Sequence, residues 1–152
     1  MLLAFALGAG GVVAAKTITG TKSGEVLKGT KHRDLILGRG GDDLIKGRKG
    51  RDRLKGGRGN DTLLGGKGKD RLRGGRGADV LSGGKGNDRM AGGPGFNQLN
   101  MVDGVEQGSP GNDVINARNG RPDEIECGTG DDTVHVDGVE DGVYGCEKVV
   151  AP

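Results

Sequence analysis

A nine-residue period governs most of this chain of 152 residues. From Gly20 onward, a glycine opens each successive row of nine without a slip. These glycines are Gly20, Gly29, Gly38, Gly47, Gly56, Gly65, Gly74, Gly83 and Gly92. A nine-residue period matches neither a helix, which repeats about every 3.6 residues, nor the alternation of a long strand. Each row can therefore supply only a short strand, and the remainder of the row must turn.

Two further positions of the row are as regular as the first. The eighth is always apolar: Leu27, Ile36, Ile45, Leu54, Leu63, Leu72, Leu81, Met90 and Leu99. The sixth is Glu25, then Asp34, Asp43, Asp52, Asp61, Asp70, Asp79 and Asp88, then Asn97. Glycines at the first, second and fourth positions give the backbone the freedom that a tight turn needs. Two rows per coil would put a strand on each side, with the eighth-position side chains pointing inward.

The composition excludes the common alternatives to such a coil. With 35 glycines, no Trp, one Tyr and two Phe, the chain lacks the bulky residues of an ordinary globular core. Collagen requires glycine at every third residue, which the row does not have. Disordered RNA-binding segments rich in Arg and Gly have no reason to place Asp and Leu at fixed intervals. We therefore expect an all-β solenoid built from turn-strand repeats.

Closing the coil every two rows stacks the aspartates of alternate rows. Two carboxylates about 5 Å apart repel by roughly 3 kcal/mol at an effective dielectric constant of 20, so the stack needs positive charge. Calcium accepts roughly six to eight oxygen ligands in flexible geometry, which carboxylates and glycine carbonyls can supply, whereas magnesium demands stricter geometry. No thiolate or imidazole recurs in the repeat, which argues against softer metals. The pattern favours Ca²⁺.

The repeat resembles the calcium-binding RTX or haemolysin-type nonapeptide, whose members fold as a parallel β-roll. The match is complete in four tandem copies, which read GGRGNDTLL, GGKGKDRLR, GGRGADVLS and GGKGNDRMA. It is partial from Gly20 to Lys55, where Thr21, Thr30, Arg39 and Arg48 replace the second glycine. The resemblance implies a parallel β-roll over residues 16–100 with two repeats per coil.

The same resemblance implies that each calcium ion lies between turns two rows apart. The ligand role then falls on the pairs Asp34/Asp52, Asp52/Asp70, Asp70/Asp88, Asp43/Asp61 and Asp61/Asp79, which gives five sites. Asn97, paired with Asp79, is a weaker sixth position. Glu25 and Asn97 depart from the pattern at its two ends, where we expect weak or absent binding.

Residues 101–152 repeat the pattern in a degenerate form. After Asn97 the register breaks, and fragments resume around Asp113, Asp123, Asp132 and Asp141, which are further weaker metal positions. Cys127 and Cys146 lie 19 residues apart, about one coil, so stacking would bring them within disulfide distance. We expect this disulfide to cap the open end of the solenoid, and two free buried thiols are the alternative.

Residues 1–15 form an apolar segment that is too short for a membrane span. The segment ends in Val13, Ala14 and Ala15, the small-x-small form of a signal-peptidase site, although no Lys or Arg precedes it. We interpret it as a signal peptide and expect an extracellular, secreted protein. An apolar N-terminal strand that caps the fold is the alternative.

The charge is unevenly distributed along the chain. Residues 20–100 carry 19 Lys and Arg against nine Asp and Glu, whereas residues 101–152 carry three against twelve.

Two functions fit this chain. The first is a secreted calcium-binding structural or interaction module. The alternative is an extracellular module whose basic face binds an anionic polysaccharide or a cell surface, with calcium only structural or dispensable. We expect no enzymatic activity, no specific nucleic acid partner, no membrane span and a monomer.

Overall fold

The computed structural model describes residues 15–95, 97–100, 111–118, 122–137 and 141–152. These residues form β-strands joined by turns and contain no helix. The strands are β1 Lys16–Thr19, β2 Val26–Lys28, β3 Asp34–Gly40, β4 Leu44–Gly50, β5 Arg53–Arg58, β6 Thr62–Gly68, β7 Arg71–Arg76, β8 Val80–Lys85, β9 Arg89–Ala91, β10 Gln98–Asn100, β11 Val114–Asn116, β12 Glu124–Glu126, β13 Thr133–His135, β14 Gly142–Tyr144 and β15 Lys148–Val150. In the described part of the chain, no helix has the length and apolarity to cross a membrane.

The strands alternate between two parallel sheets. The odd-numbered strands form an eight-stranded sheet, which we call sheet A, and the even-numbered strands form a seven-stranded sheet, sheet B. Neighbouring strands of the repeat section pair with an offset of 18 residues, as in Leu54 with Leu72 and Leu63 with Leu81. The predicted all-β parallel solenoid with two repeats per coil is therefore confirmed.

The core is a thin aliphatic column between the two sheets. The eighth-position residues from Ile36 to Met90 are each at most 3% exposed, and Ile115, Ile125 and Val134 continue the column into the C-terminal section. Each coil thus contributes two apolar side chains to the core, one from each sheet. Because such a core is narrow, backbone pairing along the solenoid must supply much of the cohesion.

The central strands are longer than the eighth position alone predicts. β3 to β8 span six or seven residues and continue through the glycines of the following turn. Gly57 pairs with Gly75, and Gly66 pairs with Gly84. Since each coil superposes on the next, the turn backbones pair as the strands do. Sequence periodicity locates the inward-facing residue but does not reveal this extension.

The second position of each turn takes a positive φ from Arg39 onward. Gly57, Gly66, Gly75, Gly84 and Gly93 have φ between 84° and 130°. Arg39 and Arg48 stand at the same position with φ of 83° and 86°, in a region that glycine tolerates and other residues rarely enter. Their turns thus keep the conformation of the glycine turns at a cost in strain.

The C-terminal section continues both sheets with altered coil lengths. The offset between successive sixth positions is 25 residues from Asp88 to Asp113 and 26 from Asn97 to Asp123. It then falls to 19 from Asp113 to Asp132. Residues 101–110 lie outside the described residues. Degenerate repeats therefore still stack as coils.

The predicted disulfide joins Cys127 and Cys146, with a Cα–Cα distance of 5.1 Å. It joins the segments that follow β12 and β14, which are neighbouring strands of sheet B. The predicted signal peptide covers residues 1–15, of which residues 1–14 lie outside the described residues.

Candidate metal centre

The sixth-position residues form two buried columns, one along each turn edge of the solenoid. Each lies directly before or at the start of a strand, where the chain leaves its glycine turn. At most 2% of each residue is exposed: Asp34, Asp43, Asp52, Asp61, Asp70, Asp79, Asp88, Asn97, Asp113, Asp123 and Asp132. Buried carboxylates are costly unless they are paired or hydrogen-bonded, so the partners of their oxygens decide what these columns can do.

One oxygen of each carboxylate is committed to the backbone of the preceding coil. The amide of Asp34 donates to Oδ1 of Asp52 at 2.7 Å, and the amide of Asp52 donates to Oδ1 of Asp70 at 2.7 Å. Asp43 donates to Oδ1 of Asp61 at 2.9 Å in the other column. The predicted ligand pairs are thus adjacent, and each pair is linked by a hydrogen bond.

This ladder runs through the described coils from end to end. It begins at Glu25 and Lys16, whose amides donate to Asp43 and Asp34, and it ends at Asp141 and Glu147. The sequence analysis assigned the aspartates to calcium alone and missed this structural role. The sequence did contain one indication of this role. Asn97 keeps an acceptor oxygen at the sixth position but carries no charge, which indicates that the acceptor is needed apart from any metal.

The other oxygen of most of these carboxylates has no donor. The Oδ2 atoms concerned are buried and unpartnered: Asp43, Asp52, Asp61, Asp70, Asp79, Asp88, Asp113, Asp132 and Asp141. Leaving one buried acceptor unsatisfied costs about 1–3 kcal/mol, and more for a charged group. We call these unpartnered oxygens orphaned. A bound cation would satisfy such a periodic series of orphaned oxygens.

In four turns, a carbonyl oxygen of the next coil lies against the same glycine as the unpartnered Oδ2, namely the first glycine of the turn. A Cβ placed on Gly47 would lie 2.6 Å from Oδ2 of Asp52 and 2.6 Å from the carbonyl oxygen of Gly65, one coil further on. Corresponding contacts occur at Gly38, Gly65 and Gly74. Only glycine fits at this position. The carboxylate oxygen and a carbonyl oxygen of the next coil therefore both pack closely against this glycine.

Asn97 shows which further oxygens lie near the orphan position. Its Nδ2 donates to the carbonyl oxygens of Gly93 at 2.9 Å and Gly95 at 3.0 Å, which are the second and fourth residues of its own turn. Its Oδ1 accepts from the amide of Asp79, like the Oδ1 atoms of the aspartates. The amide nitrogen therefore stands where Oδ2 stands elsewhere. A donor satisfies the turn carbonyls there, and in the aspartate turns a cation would do so.

The N-terminal end of the column also differs. Oδ2 of Asp34 accepts hydrogen bonds from the amide of Thr30 at 2.6 Å and from its hydroxyl at 3.0 Å. Oε2 of Glu25 accepts from the amide of Thr21 at 2.6 Å. Both threonines replace the second glycine. Protein donors thus satisfy the second oxygen of Asp34, and Asn97 carries a donor of its own at the equivalent position.

Burial makes the orphaned carboxylates hard to ionise without a cation. Desolvation is the largest cause, and it outweighs the hydrogen bond from the preceding coil, which lowers the pKa. The pKa of Asp88 rises to about 8, and those of Asp52, Asp70, Asp79 and Asp113 rise to about 6. Asp43, Asp61, Asp132 and Asp141 have pKa values raised for the same reason.

The available ligand atoms are all oxygens, from carboxylates and from backbone carbonyls. Within the described ranges, no cluster of three or more His, Cys, Asp or Glu side chains is placed to hold a metal ion. Each ion would therefore depend heavily on carbonyl oxygens. Calcium accepts such a ligand set, whereas zinc prefers a compact set of thiolates and imidazoles. The residues present fit calcium.

Asp113, Asp132 and Asp141 extend the two columns into the C-terminal section. Each keeps an orphaned Oδ2, so these three positions resemble the intact repeats more closely than their sequence context predicts. Asp123 accepts hydrogen bonds from the backbone and side-chain amides of Asn97 at 2.9 and 3.2 Å. It thus links the two sections.

Comparison with known proteins agrees with this geometry. The model of the RTX calcium-binding nonapeptide repeat (4 copies) matches residues 19–54, 28–63, 37–71, 64–99 and 107–134. No curated protein and no solved structure matches the chain. The last matched segment includes Asp113 and Asp132, in the degenerate section.

Proposed function

Because the chain belongs to the RTX calcium-binding nonapeptide repeat family, we propose that it is a secreted, calcium-binding structural or interaction module without catalytic activity. The observation that carries the calcium proposal is the periodic series of orphaned Oδ2 atoms. Four of them, in Asp43, Asp52, Asp70 and Asp79, lie against the same glycine as a carbonyl oxygen of the next coil. The family's β-roll is a structural calcium-binding fold that is not typically catalytic.

The proposed ligands are Asp43, Asp52, Asp61, Asp70, Asp79 and Asp88, together with carbonyl oxygens of their own turn and of the next coil. Asp113, Asp132 and Asp141 are proposed as further positions on the same ground. Asp34 was predicted as a ligand with the others. The two bonds from Thr30 to its Oδ2 make its contribution the weakest of the series.

Calcium would supply the positive charge that each buried carboxylate lacks. It would also join adjacent coils, since the oxygens near Oδ2 of Asp43, Asp52, Asp70 and Asp79 come from two of them. Binding free energy would then add directly to folding free energy. The proposed role is to stiffen the solenoid when the protein reaches a calcium-rich extracellular medium.

The disulfide supports the extracellular part of the proposal. Disulfides such as Cys127–Cys146 form and persist in oxidising compartments and are rare in the cytosol of most organisms. The apolar residues 1–15 support it independently, as a signal peptide.

Isothermal titration with calcium after exhaustive chelation tests the proposal, with magnesium as the competing ion. We expect several calcium ions to bind and magnesium to bind far more weakly. Asp61→Asn should lower the stoichiometry, because the amide nitrogen replaces the orphaned oxygen while Oδ1 still accepts from Asp43. Asp42→Asn removes an exposed carboxylate next to the column and serves as the matched control.

The stoichiometry of Asp42→Asn should equal that of the unmodified protein. Circular dichroism in chelator should show that both variants keep the strand signal. Absence of calcium binding, or an equal loss in both variants, would contradict the assignment of the buried column as the metal centre.

A further inference from the structure

The basic residues of the repeat section do not cover its two sheets equally. On sheet A, the fifth position carries Arg33, Arg51, Lys69 and Asn87, and the seventh carries Leu35, Arg53, Arg71 and Arg89, so that six of the eight residues are basic. On sheet B the same two positions carry Gly24, Asp42, Asn60, Ala78, Val26, Leu44, Thr62 and Val80. The fifth and seventh positions face outward on both sheets. If their basic side chains served only to solvate the surface, we would expect them on both sheets.

The six basic residues of sheet A form two parallel ladders along the solenoid. Arg53, Arg71 and Arg89 stand in direct register on β5, β7 and β9. Arg33, Arg51 and Lys69 each precede an aspartate of the buried column, and the ladder of hydrogen bonds keeps those aspartates in step. All six side chains are exposed. Cations therefore recur about every 4.8 Å along both ladders.

A surface groove of about 290 Å³ runs between the ladders and is lined by all six residues together with Asp52 and Asp70. We call it the arginine groove. None of its six cationic side chains makes an ion pair with a carboxylate of the described residues. Like charges side by side on neighbouring strands destabilise a sheet. An anionic ligand from outside the chain would relieve that repulsion.

We propose that the arginine groove binds a linear anionic polysaccharide whose sulfate or carboxylate groups follow the solenoid axis. Guanidinium groups bind such oxyanions in a planar, bidentate manner that lysine cannot reproduce, and five of the six residues are arginines. The groove contains no aromatic side chain, so it offers single-stranded nucleic acid no stacking platform. The proposal stands on the fold and does not depend on calcium binding.

The chain offers a matched control on sheet B. Lys49 and Lys67 are exposed and stand in register on β4 and β6, as Arg53 and Arg71 do on β5 and β7. Arg53→Gln/Arg71→Gln and Lys49→Gln/Lys67→Gln therefore remove the same charge from opposite sheets. Arg53→Lys/Arg71→Lys keeps the charge and removes the planar guanidinium groups.

Fluorescence anisotropy with labelled dextran sulfate measures the binding, and uncharged dextran of the same length is the ligand control. We expect salt-dependent binding to dextran sulfate and none to dextran. Arg53→Gln/Arg71→Gln should bind about tenfold more weakly, from the loss of two exposed ionic contacts. Arg53→Lys/Arg71→Lys should lie between that variant and the unmodified protein. Lys49→Gln/Lys67→Gln should stay within about twofold of the unmodified protein.

Circular dichroism should show the same strand signal for all four proteins, so that the affinities compare like with like. An equal loss in the Arg53/Arg71 and Lys49/Lys67 variants would overturn the proposal in favour of diffuse positive charge. Tighter binding to a single-stranded oligonucleotide of equal charge would overturn the polysaccharide assignment. Lack of binding to dextran sulfate would overturn the arginine groove as a binding site and polysaccharide as its ligand, whatever calcium titration shows.

Discussion

At the scale of single residues, the second position of each turn separates two kinds of coil. Thr30 keeps a negative φ and donates twice to Oδ2 of Asp34, whereas Arg48 adopts a φ of 86° in a turn that otherwise matches the glycine turns. Threonine therefore replaces glycine with a different local structure, and arginine replaces it at a cost in strain.

Arg48→Gly should stabilise the protein by about 0.5–1 kcal/mol. The strain of a positive φ, about 1–2 kcal/mol, is relieved, and the greater freedom of glycine in the unfolded chain offsets part of the gain. Urea denaturation of the metal-free protein measures the change. Thr30→Gly at the same repeat position is the control. It should destabilise by about 1 kcal/mol or more, because it removes the hydroxyl bond to Asp34 and relieves no strain. Stabilisation by both changes would contradict this account.

At the scale of the turn, one atom distinguishes the turn of Asn97 from the turns with an orphaned oxygen, which are the proposed calcium positions. Asn97 places Nδ2 against the carbonyls of Gly93 and Gly95, and Asp79 places an orphaned oxygen in the corresponding position one coil earlier. Exchanging the two side chains should therefore exchange the two behaviours.

Asn97→Asp should destabilise the metal-free protein by about 1–3 kcal/mol, because the carbonyls of Gly93 and Gly95 lose their donor and face a buried oxygen that has none. It should also raise the calcium stoichiometry by one. Asp79→Asn should do the reverse on both counts, with more stability in chelator and one fewer ion bound. Denaturation in chelator and calorimetric titration provide the two readouts. If both variants move stability in the same direction, Asn97 is not a substitute for the ion.

Much of this element could be predicted from the sequence. Ile36, Ile45 and Leu54 were expected to point inward because the eighth position alone is always apolar, and they are nearly inaccessible. The hydrogen bond from Asp34 to Oδ1 of Asp52 could not be predicted, since a repeat pattern identifies a residue and not which of its oxygens the backbone uses. The donors at Asp34 were equally hidden, because the role of Thr30 depends on a φ angle that sequence does not specify.

At the scale of the whole molecule, the two carboxylate columns should couple calcium binding to pH. Without metal, burial raises the pKa of Asp88 to about 8 and those of Asp52, Asp70 and Asp79 to about 6. The folded chain then holds protons more tightly than the unfolded chain. The contribution of these carboxylates to the free energy of unfolding is fully present below about pH 4 and is lost as pH rises through 6 to 8.

Calcium should reverse this dependence, because it binds only the ionised carboxylates and competes with protons for them. Thermal unfolding between about pH 4 and pH 8 measures both slopes, once in calcium and once with metal-free protein. We expect the melting temperature to fall with rising pH without metal and to rise with pH in calcium. The same sign of slope in both conditions would contradict the coupling of the columns to the ion.

The offset of 18 residues between paired strands makes the solenoid extensible. Removing residues 56–73, one complete coil, would bring Asp52 next to Asp88 and Asp43 next to Asp79, with every backbone bond, core contact and turn replaced by an equivalent one. The number of coils can therefore change without altering any local interaction. The same units could form a shorter or a longer solenoid, with a groove of corresponding length.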